Sequence, residues 1–105
     1  ERLKEVLQEI STRISENISV ADMAEFCGWS SSHFMRWFKK MTGDSFAAYV
    51  NDKRLTGAAE ALRRTNDKIL TVSQDVGFSN LSNFNRQFKK RYGVTPREYR
   101  KMIGI

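Results

Sequence analysis

The chain contains 105 residues, of which 40% are hydrophobic and 29% charged, a composition typical of a globular protein and not of a disordered one. Its 18 lysines and arginines outnumber its 12 acidic residues, and the net charge of +6 favours a polyanionic partner. The longest apolar run, Phe46 to Val50, is five residues long, far below the roughly 20 that a membrane-spanning helix needs, so no membrane partner is predicted.

Cys27 is the only cysteine, which excludes an internal disulfide and a multi-cysteine metal site. We expect it to be a small buried residue in a cytoplasmic protein, and no cofactor or metal is predicted. The chain opens without a methionine or a secretory leader, and we interpret it as a fragment of a longer protein.

The first three elements are predicted to be helices. The first has apolar residues at positions 3, 6, 7, 10 and 14 and is expected to end near Asn17. A short helix follows, with Ser19 and Asp22 as a capping pair and Gly28 at the turn after it. The third helix carries an inward apolar stripe (Phe34, Trp37, Phe38, Met41) and an outward polar stripe (Ser32, Met35, Arg36, Lys39).

A long helix is predicted next, beginning after Asp44 or Ser45 and reaching about Thr65. With roughly 20 residues it would be about 30 Å long and would separate two subdomains, 1–44 and 66–105, joined by the linker helix 45–65. Gly57 inside it is disfavoured by about 1 kcal/mol relative to alanine, so close packing or a slight bend is expected there.

The remaining elements form a second set of helices. A short helix with apolar positions 69, 72 and 76 is expected to be capped by Asp67 and to end at Gly77. The last helix opens with a capping box at Thr95–Glu98 with Pro96 at its first position, and Tyr99 and Met102 are expected to pack back. Between them lies a helix with Phe84, Phe88 and Tyr92 inward and Ser82, Asn85, Arg86 and Lys89 outward.

An internal repeat relates the two sets of helices. Shifting residues 30–43 by 50 positions onto residues 80–93 gives seven identities in 14 positions. These are Ser32/Ser82, Phe34/Phe84, Arg36/Arg86, Phe38/Phe88, Lys39/Lys89, Lys40/Lys90 and Gly43/Gly93. The sequence therefore predicts an all-α fold of about seven helices that contains two helix-turn-helix units.

Positive charge is concentrated in the same repeated segments. Residues 30–43 contain three basic and no acidic residues, and residues 79–105 contain seven basic and one acidic residue. A charge run alone more often marks a solvated helix face. A basic second helix in each of two helix-turn-helix units, however, is suited to the major groove of double-stranded DNA, which admits an α-helix.

The chemistry of the exposed side chains divides their expected roles. Arginine can bond guanine in a bidentate manner, asparagine can pair with adenine, and lysine favours phosphates. We predict base contacts from Met35, Arg36, Leu81, Asn83, Asn85 and Arg86, and phosphate contacts from Ser31, His33, Lys39, Lys40, Asn80, Lys89, Lys90, Arg91 and Arg97. With one histidine, one cysteine and no glycine-rich phosphate loop, no catalytic set is apparent, and the protein is not expected to be an enzyme.

The segment from Val76 to Arg100, with Gly77-Phe78-Ser79, Phe84, Phe88-Lys89-Lys90 and Thr95-Pro96-Arg97-Glu98-Tyr99, resembles the signature of the AraC/XylS family of bacterial transcription regulators. The stretch from Gly28 to Gly43 resembles that family's first helix-turn-helix. The resemblance implies a homeodomain-like DNA-binding domain that regulates transcription, often with RNA polymerase as a partner. It also implies base contacts from Ser32, Met35, Arg36, Leu81, Ser82, Asn85 and Arg86.

The resemblance further implies an effector-binding or dimerisation domain that is missing here, with the alternative of a natural short form, since a few members of the family consist of the two helix-turn-helix units alone. The fragment is expected to be monomeric and the full-length protein dimeric. The alternative hypothesis is a basic helical module whose main partner is a protein, such as RNA polymerase, or non-specific nucleic acid. A protein partner would require an exposed apolar patch, whereas the apolar stripes are expected to be used as core.

Overall fold

The computed structural model describes residues 1–103, which form seven helices and contain no strand. The all-α prediction is therefore confirmed. The chain divides into two compact units, Glu1–Asp52 and the residues from Lys53 onward, and the division falls within the fourth helix. The helices are α1 (Arg2–Thr12), α2 (Val20–Cys27), α3 (Ser31–Thr42), α4 (Phe46–Arg64), α5 (Ile69–Asp75), α6 (Leu81–Tyr92) and α7 (Pro96–Met102).

The first unit packs α1, α2, α3 and the start of α4 around an aromatic core. The rings of Phe34, Phe38 and Phe46 lie 5.6 to 5.7 Å apart, and both α3 phenylalanines are completely buried. Such ring pairs add stabilisation beyond the burial of their area. The rest of this core comprises Val6, Ile10, Ile18, Met23, Ala24, Cys27 and Val50.

The first helix is shorter than predicted. It ends at Thr12, because Arg13 leaves the helical conformation and the chain turns over residues 13–16. The Arg13 side chain pairs with Glu9, Glu16 and Asp22 around this turn. Ile14 still packs against the core from the turn, so apolar spacing continued past the end of the helix.

The predicted caps of α2 and α4 are confirmed. Ser19 and Asp22 form a capping box, in which the Asp22 amide donates to Ser19 Oγ at 3.1 Å. Ser45 caps α4, since its Oγ accepts from the Ala48 amide at 3.1 Å. Gly28 ends α2 with φ of 75°, a left-handed conformation that glycine adopts without steric cost.

The second unit has its own core, built from the rest of α4 and from α5, α6 and α7. Phe84 and Phe88 are completely buried, and Phe88 contacts the ring of Tyr99 at 5.4 Å. The capping box of α7, with Pro96 at its start, is confirmed. The buried residues of this core are Leu55, Ala58, Ala59, Leu62, Val72, Phe78, Phe84 and Phe88.

The predicted cap of α5 is wrong. The helix begins after Lys68 without a side-chain cap, and Asp67 serves instead through its backbone carbonyl. That carbonyl accepts from Arg100 Nη1 at 2.6 Å, and Arg100 Nε donates to the Leu62 carbonyl at 3.3 Å. An arginine of α7 therefore holds the segment that enters α5, which no local sequence pattern reveals.

Two residues predicted to face inward are exposed. Met41 is 48% exposed because Phe46 and Tyr49 of α4 cover the end of the α3 stripe by packing on Phe38. Met102, 69% exposed, lies beyond Tyr99, the last α7 ring in the core. Because Met41 belongs to the predicted α3 stripe, the expectation that the apolar stripes are fully used as core is wrong. Phe26 and Leu70, which lie outside the predicted stripes, are exposed as well.

Candidate nucleic-acid interface

The outer face of α3 carries the predicted contacts of the first unit. Burial of Phe34 and Phe38 fixes the rotation of this helix and turns the opposite stripe to solvent. The exposed residues there include Ser31, Ser32, His33, Met35, Arg36, Lys39 and Lys40, and Met35 is 49% exposed. The structure therefore places every predicted residue of this unit on the solvent side of one helix.

Helix α6 repeats this arrangement in the second unit. Phe84 and Phe88 are buried, and Leu81, Ser82, Arg86, Lys89 and Lys90 are exposed. Asn83 and Asn85 are partly buried, so they are less accessible than the arginine. The two helices have 12 residues each, and both end at a glycine with φ near 84°, Gly43 and Gly93.

Local hydrogen bonds organise the start of α6. Asn80 is its N-cap, and its Oδ1 accepts from the Asn83 amide at 2.8 Å. Asn83 Oδ1 in turn accepts from Arg86 Nη2 at 2.9 Å. Asn80, predicted to contact phosphate, thus has its side-chain oxygen engaged in the cap, and Asn83, predicted to contact a base, is bonded to Arg86.

The start of α3 is organised differently. Ser30 caps this helix by accepting from the His33 amide at 3.2 Å. The imidazole of His33 packs edge-on against Trp29, with ring centroids 4.4 Å apart. The guanidinium of Arg2 lies 5.5 Å from the centroid of the Trp29 ring, a distance typical of a cation–π contact.

Basic residues occupy the last turn of both helices. Lys39 and Lys40 lie at the end of α3, and Lys89, Lys90 and Arg91 lie at the end of α6. Cations are favoured there by the helix dipole, so this placement also stabilises the helices. The Arg91 guanidinium additionally lies 4.9 Å from the Tyr92 ring centroid.

A groove of about 580 Å³ lies beside α6 in the second unit. A smaller adjoining cavity of about 290 Å³ brings Arg97 of α7 together with Leu81 and Asn85 of α6. The larger groove is lined by Lys68, Ile69, Leu70, Leu81, Arg97, Arg100 and Lys101. Sequence analysis missed Lys68 and Lys101, because the signal that could find them, proximity to Leu81 and Arg97, exists only after α5, α6 and α7 have packed.

Three titratable groups outside the recognition stripes have shifted pKa values, and one of them is Arg54 of α4, whose pKa is lowered by burial. Burial raises the pKa of the Cys27 thiol, and this side chain is 7% exposed, as predicted for a small buried residue. Hydrogen bonds from Thr95 to the carboxylate lower the pKa of Glu98 in the α7 capping box. Among residues 1–103, no group of three or more histidine, cysteine, aspartate or glutamate residues is placed to hold a metal ion, and no helix is long and apolar enough to cross a membrane.

Each unit thus presents a short helix, a tight turn and a second helix with a basic solvent face, which defines a helix-turn-helix protein. The family described as a helix-turn-helix domain matches residues 23–102. The TetD protein of transposon Tn10 from Escherichia coli is 36% identical over 99 residues, which are 94% of this chain and 72% of TetD.

A longer relative and a solved structure are also similar to this chain, and both are described as transcriptional regulators. The HTH-type transcriptional regulator YobQ of Bacillus subtilis is 36% identical over 94 residues, which are 90% of this chain and 39% of YobQ. A transcriptional regulator from Chromobacterium violaceum, described as having an AraC-type DNA-binding domain, superimposes with a TM-score of 0.89 at 28% identity, covering 98% of this chain and 92% of that one. The chain belongs to the AraC/XylS family of transcription regulators and corresponds to the DNA-binding domain of that family.

Proposed function

We propose that the domain binds a specific site in double-stranded DNA by inserting α3 and α6 into successive major grooves. The observation that carries this proposal is the repeated geometry of the two helices. Each buries a pair of phenylalanines on one side and exposes a serine, an arginine and a lysine at matching positions on the other. A helix with such a face fits the major groove, where base edges are accessible.

The side chains divide the work on DNA. Arg36 and Arg86 bond the O6 and N7 atoms of guanine, and Asn85 is suited to adenine. Met35 and Leu81 offer apolar contact to thymine methyl groups. Phosphate contacts come from Lys39, Lys40, Lys89, Lys90, Arg91 and Arg97, which supply affinity without sequence information.

Selection from random DNA at near-physiological salt, followed by footprinting of the selected site, tests this proposal. We expect an asymmetric site with two protected patches about one helical turn of DNA apart. One protected patch would mean that a single helix specifies the site while the other binds only phosphates. Absence of any enriched site would reject sequence-specific binding.

A protein partner is a second candidate function, and the groove beside α6 favours it. Leu70 is 47% exposed and Leu81 37% exposed there, next to Lys68 and Lys101. Exposed apolar groups rimmed by charge are typical of protein contacts, and RNA polymerase is the partner that the family implies. Charge-reversing substitutions of Lys68 and Lys101 should then lower transcription activation more than DNA affinity.

The cellular setting is part of the same proposal. We infer that the domain acts in the cytoplasm, as a monomer in isolation and within a dimer in a longer protein. Sedimentation of the 105-residue chain with and without a selected duplex measures whether the isolated domain is a monomer. A dimer of the isolated chain would contradict it.

A further inference from the structure

We infer that Asn83 is a positioning residue for Arg86, and that α6 is consequently the helix that supplies most of the sequence discrimination. The juxtaposition that supports this inference is the hydrogen bond between Asn83 Oδ1 and Arg86 Nη2, 2.9 Å long, on the exposed side of α6. The inference rests on the proposed function, since it requires α6 to lie in a major groove.

Three residues form a continuous chain of hydrogen bonds along α6. The Asn83 amide is held by Asn80 Oδ1 at 2.8 Å, and the Asn83 side chain holds the guanidinium of Arg86. These residues are spaced three apart, so they lie along one side of the helix. The Arg86 guanidinium is therefore linked through Asn83 to Asn80, the N-cap residue of α6, and the long Arg86 side chain is ordered before DNA binds.

The hydrogen bond leaves Arg86 able to contact guanine. A guanidinium has five N–H donors, and one is used by Asn83, so a pair of donors still points away for O6 and N7. Ordering a long side chain in advance removes part of the entropic cost of binding. The hold from Asn83 thus increases the affinity of Arg86 for a correctly placed guanine more than for other bases.

The same bond weakens the sequence-based assignment of Asn83 as a base contact. Bidentate pairing with adenine uses both the oxygen and the nitrogen of an asparagine amide. The Asn83 oxygen is already bonded to Arg86. We assign base contact to Arg86 and a positioning role to Asn83.

Helix α3 lacks this device at the matching positions. His33, which corresponds to Asn83, packs against Trp29 at 4.4 Å instead of bonding Arg36. Within residues 1–103, Arg36 makes no hydrogen bond or ion pair, so its side chain must become ordered when DNA binds. Met35 also replaces an asparagine, Asn85, on that face and offers no hydrogen bond to a base. The two helices are therefore unequal, although their sequences repeat.

A double-mutant cycle tests the inference. Affinities of the Asn83→Ala, Arg86→Ala and doubly substituted proteins are measured on the selected site and on duplexes with each base pair changed in turn. Asn83→Ala should reduce discrimination about tenfold at the base pair that Arg86→Ala identifies, and the double variant should lose no more than Arg86→Ala alone. Asn66→Ala is the matched control, because it removes an exposed asparagine outside α3 and α6, and it should leave base preference unchanged. Loss at a different base pair, or fully additive losses, would overturn the positioning role.

An isosteric variant separates positioning from base contact. Asn83→Asp keeps an oxygen that accepts from Arg86 but cannot donate to adenine N7. It should retain the preference at the Arg86 base pair while lowering affinity for all DNA through its negative charge. Loss of that preference in a variant whose circular dichroism melting curve is unchanged would contradict the assignment.

The unequal contribution of the helices has its own readout. Arg36→Ala should reduce discrimination less than Arg86→Ala, and the reverse order would refute the inference. If the unsubstituted protein shows no site preference, the proposed function itself fails. If it shows a preference that Asn83→Ala leaves intact, only the positioning role fails.

Discussion

At the scale of single residues, arginine and lysine on the same helix face have different consequences. Arg86 lies near the middle of α6 and is bonded to Asn83, whereas Lys89 lies in the last turn. A guanidinium presents a planar fork that matches guanine, and an ammonium group acts as a point charge. One turn of helix therefore separates Arg86, which is suited to recognising a base, from Lys89, which is suited to attracting the phosphate backbone.

Substitution of these two residues should separate specificity from affinity. Arg86→Ala should cost about 1–3 kcal/mol on the selected site and relax the preference at one base pair, whereas Lys89→Ala should weaken binding to all sequences similarly. Affinities on selected and random duplexes measure both effects. Equal losses of Arg86→Ala on the two duplexes would refute the base contact.

A second residue-scale effect concerns the pH dependence of stability. Hydrogen bonds from Thr95 lower the pKa of Glu98 in the folded protein below its ordinary value of 4.5. The folded state therefore favours the carboxylate, and the stabilisation is present above pH 4.5 and lost as the pH falls through the lower, folded-state pKa.

Glu98→Gln should remove this pH dependence. The amide oxygen can still accept from the Thr95 backbone but does not titrate. Thermal melting measured from about pH 3 to about pH 7 should show that the melting temperatures of the two proteins differ at neutral pH and converge in acid. A constant difference across that range would show that Glu98 does not contribute through its charge.

At the scale of elements, capping determines where most of the helices begin. Ser19, Ser30, Asn80 and Thr95 each accept a backbone hydrogen bond at the start of a helix. Helix α5 has no such cap, and Arg100 holds the preceding segment through the Leu62 and Asp67 carbonyls. The start of α5 consequently depends on α7, whereas α2 and α7 have local signals in their own sequences.

Glycine substitutions distinguish helix interiors from helix ends. A Cβ atom at Gly57 would lie 3.6 Å from Val76 Cγ1, an ordinary contact, so close packing, one of the two explanations offered by the sequence, does not require glycine. Gly57→Ala should stabilise the protein by up to about 1 kcal/mol, because alanine favours the helix.

Gly93→Ala is the matched control. A Cβ atom added at Gly93 would meet no atom within 4 Å, but the φ of 83° is unfavourable for any residue with a side chain. We therefore expect the free energy of unfolding to fall by about 1 kcal/mol. Urea denaturation of both variants gives the comparison. Destabilisation by Gly57→Ala would indicate that the packing around Val76 cannot adjust.

At the scale of the whole molecule, two units with separate cores each supply a basic face. Phe34 and Phe38 anchor the first core, and Phe84 and Phe88 anchor the second. Because the net charge of +6 is concentrated in the repeated segments and α7, DNA binding should depend strongly on salt.

The salt dependence can be stated as a slope. If the six lysines and arginines assigned to phosphates all make their contacts, the logarithm of the affinity should fall with the logarithm of salt concentration with a slope of about −5. Lys89→Ala should reduce the magnitude of this slope by about 1, whereas Asn85→Ala should leave it unchanged. Titrations at several salt concentrations measure it, and a slope near zero would contradict phosphate contact by the basic residues.

Much of this arrangement could be predicted from the chain alone, because its signals are local. The spacing of Phe34, Phe38, Phe84 and Phe88 indicates two inward stripes, and all four residues are buried. Ser19 with Asp22 and Thr95 with Glu98 show where helices begin, since a cap depends on residues three apart. A helix whose inner side is known also has a known outer side, which is why Arg36 and Arg86 were predicted to be exposed.

Tertiary structure alone decided the features that depend on distant neighbours. Met41 and Met102 continue apolar stripes in the sequence, but both are exposed, because Tyr49 and Tyr99 pack at the edges of the two cores where these methionines were expected. The contact of Arg100 with the Asp67 carbonyl joins residues 33 positions apart. The difference between Arg86, bonded to Asn83, and Arg36, whose neighbour His33 packs on Trp29, involves residues only three or four positions apart. It nevertheless required the structure, because apolar spacing and charge do not specify the side-chain conformations that make these contacts.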